Sequence, residues 1–107
     1  MPAKIRADVQ RIRTLNVTPG SSGIRIEVPK YEAMKKALLK VIPRNADGVA
    51  FRDLHRLVKP HLPGEVYTPK VSVPWYVTVV KLDLEARGLI GRVPGANPQR
   101  VRRMTGK

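Results

Sequence analysis

The stretch from Ser72 to Met104 constrains the fold more than any other part of the chain. Ser72 to Arg87 reads as a helix of mostly apolar and branched residues. Ser72 can cap its N-terminus, and Pro74 falls in the first turn, where a missing N–H costs little. Gly88 can take the left-handed conformation that ends a helix. Leu89-Ile90-Gly91-Arg92-Val93 is then short and partly β-branched, and it is closed by Pro94-Gly95. It reads as a strand and turn, with Gln99 to Met104 returning as a second, basic strand.

Projected at about 100° per residue, this helix is apolar around most of its circumference. Pro74, Thr78, Lys81 and Glu85 share one narrow polar stripe. Trp75, Val79, Leu82 and Ala86 lie on one side of it, and Val77, Val80 and Leu84 on the other. A surface helix needs only one apolar stripe. This one must be covered from two directions, by the other helices and by an N-terminal hairpin or a second protomer.

The run Leu84-Glu85-Ala86-Arg87-Gly88-Leu89-Ile90-Gly91-Arg92-Val93-Pro94-Gly95, with Arg100-Val101-Arg102 returning, resembles the recognition helix and wing of a winged helix-turn-helix domain. Through Tyr31-Glu32-Ala33-Met34-Lys35, Val58-Lys59-Pro60-His61-Leu62-Pro63 and Pro98-Gln99-Arg100, the whole chain is similar to small, uncharacterised bacterial winged-helix proteins. The resemblance implies a fold and no activity, because winged helices serve as DNA readers and as protein-interaction modules alike.

Upstream, the pattern changes character. Ile24-Arg25-Ile26-Glu27-Val28 alternates apolar and charged residues, as a half-buried strand does. Thr18 to Gly23 is a turn, and Val9 to Asn16 is its partner strand or a short helix. An alternative is a basic arm carrying Lys4, Arg6, Arg11 and Arg13. A first core helix is expected from Lys30 to Ile42, with Tyr31, Met34, Leu38, Val41 and Ile42 in one stripe and Pro43 as its stop. Asn45 to Gly48 reads as a loop. A second helix is expected over Ala50 to Lys59, burying Phe51, Leu54, Leu57 and Val58, and ended by Pro60 or by a short extra turn through His61 and Leu62. The Pro63 to Val71 segment is longer than the turn of a compact helix-turn-helix. It serves either as a binding lip or as a cover over the core.

At 107 residues the chain suits a single domain, divided into an N-terminal hairpin or arm (1–29) and a winged-helix core (30–104). It contains no cysteine, which excludes disulfides, thiolate chemistry and zinc fingers. Its apolar runs fall short of a membrane span and it shows no secretory leader, so a cytoplasmic protein without membrane attachment is expected. The formal net charge is +13, which favours a polyanionic partner such as nucleic acid, or simply a basic soluble surface. From Ala86 onward there are six basic residues and no acid.

Candidate chemistry follows from that distribution. Thr78 and Lys81 can meet phosphates or base edges from the third helix. Arg92, Arg100, Arg102 and Arg103 suit phosphates or a narrow minor groove, while Val93 and Val101 pack inward. The polar stripe offers no Arg, Asn or Gln for bidentate base reading, so non-specific binding is favoured. Trp75 and Tyr76 are either stacking partners or edge packing. His55 and His61 lack partners for a metal site, and no phosphate loop or acid/base pair is recognisable. No enzyme activity, cofactor, metal or small-molecule ligand is expected.

The expected architecture is α+β: an N-terminal β-hairpin, three helices and a C-terminal β-wing. The expected function is a nucleic-acid-binding module for duplex DNA, with transcriptional regulation as one use. The alternative is a winged-helix protein-interaction or dimerisation module, the homodimer being its simplest form.

Overall fold

The structure is a computed structural model, and it describes residues 10–18, 20, 21 and 23–104. The expectations attached to Lys4, Arg6, Val9 and Lys107 lie outside those residues.

Strands β1 (Arg11–Arg13) and β2 (Arg25–Glu27) pair antiparallel, with Ile12 opposite Ile26. This is the hairpin that the alternating pattern predicts, and it buries Ile26 while leaving Arg25 in solvent. Helix α1 (Val28–Val41) follows at once, two residues earlier than expected. Pro29 lies in its first turn, where the absent N–H is no loss. Tyr31, Met34, Ala37 and Leu38 form its buried face.

The segment after α1 departs from the expectation in two ways. Val49–Ala50 is a strand, β3, so Ala50 does not begin the helix expected there. Its pairing with the last strand brings the two backbones so close that a Cβ on Gly48 would lie 2.2 Å from the Val101 carbonyl oxygen. Gly48 has φ +62°, which glycine adopts without the usual penalty. The expected second helix is also divided. A 3₁₀ turn (Phe51–Asp53) leads into the short α2 (Leu54–Val58), and a second 3₁₀ turn (Lys59–His61) follows. Phe51 N donates to Gln99 O at 2.9 Å, so the start of this segment is tied to the C-terminal hairpin.

The long connection to the next helix is a cover. Tyr67 is buried, its hydroxyl donates to Lys30 O at 2.7 Å, and its ring meets Tyr76 edge-on at 5.5 Å. Helix α3 (Val73–Ala86) starts with Ser72 Oγ accepting from Trp75 N at 3.3 Å, as the capping argument requires. It ends at Gly88, with φ +79°, where Leu89 N donates back to Leu84 O. Strands β4 (Ile90–Arg92) and β5 (Arg100–Arg103) complete a three-stranded antiparallel sheet of order β3–β5–β4.

The molecule is therefore α+β, with three helices and two small antiparallel sheets. Met34, Leu38, Leu54, Val58, Val80, Leu84, Ile90 and Val101 meet in a core that joins all three helices to the three-stranded sheet. No helix among the described residues is long and apolar enough to cross a membrane.

Candidate functional site

Helix α3 turns Val77, Val80 and Leu84 to the core, and this orientation decides what happens to its polar stripe. Lys81 does not face solvent. It is 2% exposed, its ammonium lies 3.0 Å from Glu85 Oε1, and it sits 4.6 Å from the centre of the Phe51 ring. Arg92 closes the other side of Glu85, with Nε 2.8 Å from Oε2. Burial pushes the Lys81 pKa below its ordinary value, and the bond to Glu85 opposes that shift. The expectation that Lys81 contacts nucleic acid is therefore corrected: Phe51 and Arg92 seal the flank of the helix on which it lies. Thr78 remains exposed, although its hydroxyl donates back to Pro74 O at 3.1 Å.

The outward stripe of α3 is apolar instead. Trp75 is 46% exposed, packed edge-on against Tyr76 at 4.8 Å, with Leu82 half-buried and Ala86 exposed further along. The N-terminal segment meets α3 on both flanks of this stripe. Leu15 N donates to Asp83 Oδ1 at 2.7 Å on one flank, and Val17 and Thr18 share a cavity with Glu85 and Arg92 on the other. Asp83 and Glu85 are about 160° apart across the outer side of the helix, so Leu15–Thr18 reaches both flanks of α3. Asp83 is fully buried and also accepts from the Tyr31 hydroxyl at 2.5 Å and from Arg87 Nε at 2.8 Å. Burial first, and then the bond to Asp83, push the Tyr31 pKa up to about 12.

The arginines of β5 have more than one task. Val101 faces the core, so Arg100 and Arg102 project from the other face of the strand. Arg100 Nε donates to Asp47 O at 2.7 Å, and its NH2 donates to Gly48 O at 3.1 Å. These neutral acceptors fix the loop before β3, and among the described residues no carboxylate pairs with the Arg100 charge. Among the described residues, the Arg102 side chain donates to Ala46 O at 3.5 Å and takes part in no ion pair. Arg103 N donates to Pro43 O at 2.7 Å, which brings the end of β5 beside the end of α1.

That last pairing assembles a cationic cleft. Arg44, Ala46, Arg102, Arg103 and Met104 line a cavity of about 280 Å³, and no carboxylate is among them. Arg103 Nε is buried and has no hydrogen-bond partner among the described residues. A buried donor without a partner is costly, and an anion in the cleft would satisfy it. Three guanidinium groups around one opening suit a phosphate, since each can offer two parallel N–H donors. Arg102 and Arg103 are evident in the sequence as part of a basic strand, whereas Arg44 is not. It sits alone after Pro43, and only the pairing of β5 with that residue brings it to the hairpin.

Among the described residues no group of His, Asp and Glu could hold a metal ion. The model of a family of unknown function, DUF6958, matches residues 11–101 of the chain. The chain belongs to that family. The match covers the N-terminal hairpin, all three helices, Arg44 and the start of β5. No curated protein and no solved structure matches the chain.

Proposed function

We propose that this DUF6958 member is a winged helix-turn-helix module that binds duplex nucleic acid, preferably DNA, through the phosphate backbone and without strong sequence preference. The element order α1–β3–α2–α3–β4–β5 and the strand order β3–β5–β4 support the fold reading. The observation that carries the functional reading is the cleft of Arg44, Arg102 and Arg103, in which, among the described residues, there is no acid and one buried guanidinium nitrogen has no partner. Arg100 adds a positioned charge beside it, whereas the charge of Arg92 is largely spent on Glu85. With Lys81 enclosed and the outer stripe of α3 apolar, little on that helix can read base edges. Positioning contacts to phosphate dominate.

Fluorescence anisotropy on a labelled random duplex at low salt tests this reading. Replacing Arg44 and Arg102 together by Ala should weaken binding about tenfold or more, as loss of two phosphate contacts does. Replacing Arg52 and Lys70, which lie outside the cleft, removes the same charge and should cost far less. Equal losses from the two double variants would refute the cleft. A second reading, a protein-interaction or dimerisation module, is favoured specifically by the exposure of Trp75. Light scattering of the free protein separates it: a dimer that Trp75→Ala converts to a monomer would establish that surface as the interface.

A further inference from the structure

Helix α1 and the connection after α2 line a separate groove. Its cavity of about 460 Å³ is lined by Ala33, Lys36, Ala37, Lys40, Pro60, His61, Leu62 and Pro63. The floor is small and apolar: Ala37 is buried, and Ala33 is half-buried against the core. Pro60 and Pro63 form a stiff wall with no N–H to hydrate. Lys36 and Lys40 stand exposed one turn apart on the opposite wall, with His61 exposed at the rim. No carboxylate lines the groove, and neither lysine takes part in any ion pair among the described residues.

We propose that this groove docks an acidic peptide segment of a partner protein, an apolar side chain entering between the two prolines while flanking carboxylates meet Lys36 and Lys40. The lysines are about 6 Å apart along the helix axis, the rise of one turn, which two residues of extended peptide span. Charge complementarity selects an acidic occupant. A second copy of this chain is disfavoured, because each copy carries +13. A nucleic-acid backbone fits poorly, since its phosphates would be pressed against an alanine, leucine and proline surface. The groove shares no residue with the arginine cleft, so the two proposals stand or fall separately.

The test uses the full chain and a short fluorescein-labelled peptide of alternating Asp and Leu, read by anisotropy. Saturable binding is expected, weakened about tenfold or more when the leucines become serine, because the buried apolar side chain is lost. The double variant Lys36→Gln/Lys40→Gln should lose about tenfold, while Arg52→Gln/Lys70→Gln, of equal charge, should stay within about twofold. Excess random duplex DNA should leave a bound fraction of peptide unchanged once the net salt effect is matched. The proposal is overturned if the serine peptide binds equally well, if the two double variants behave alike, if duplex displaces the peptide stoichiometrically, or if no saturable binding occurs.

Discussion

Truncating Asp83 tests the junction between the N-terminal segment and α3. Its carboxylate is fully buried and accepts from Tyr31 at 2.5 Å, Leu15 N at 2.7 Å and Arg87 at 2.8 Å. A hydrogen bond to a charged group contributes about 1.5–3 kcal/mol, and all three of these bonds lie in buried or part-buried surroundings. The Arg87 side chain is 35% exposed, so water can replace its partner and that pair adds little. Asp83→Ala should therefore cost at least about 3 kcal/mol. At about 4–8 °C per kcal/mol for a domain near this size, the melting temperature should fall by at least about 12 °C. Asp83→Asn keeps an acceptor for Leu15 N and should lose roughly half as much. Circular dichroism melts give the temperatures, and amide exchange at Leu15 reports the latch directly. A melt of Asp83→Ala within about 4 °C of wild type, about 1 kcal/mol, would refute the reasoning.

Gly48→Ala should destabilise strongly, because the added Cβ meets the Val101 backbone and the residue sits at φ +62°; Gly64→Ala, where a Cβ meets nothing within 4 Å, is the control in the same melt. Lys81→Met should leave duplex affinity within about twofold and change stability by no more than about 1–2 kcal/mol, since an apolar isostere can replace a buried cation whose partner keeps Arg92. Tyr31 holds its proton longer in the folded state than at the ordinary value of 10.0, so its contribution is complete below pH 10 and is lost as pH rises to about 12. Stability measured across that window should fall less steeply in Tyr31→Phe.

The helices were legible because their stripes are long. Tyr31, Met34 and Leu38 on α1, and Val77, Val80 and Leu84 on α3, keep helical spacing through at least two turns. The hairpin at Ile12 and Ile26 was legible from strict alternation. Strand β3 was not, because two residues carry no period, and its existence depends on Arg100 and Val101 some fifty residues away. Lys81 misled for a different reason. A projection shows which residues share a face, but not how far Phe51 and Arg92 wrap around that face. The contact of Leu15 with α3 rests on one buried carboxylate, which the sequence displays as an ordinary charge in a helix. Arg102 and Arg103 were found from the run of basic residues, whereas Arg44 joined them only through the Arg103–Pro43 backbone bond.

The central claim is that the arginine cleft contacts phosphate, and the salt dependence of duplex binding tests it most directly. Each phosphate neutralised contributes about 0.9 to the slope of log affinity against log salt concentration. The Arg44→Ala/Arg102→Ala variant, shown to be folded by its melt, should bind with a slope flatter than wild type by about two. An unaltered slope, or no binding of the wild-type chain to any duplex at low salt, would contradict the account.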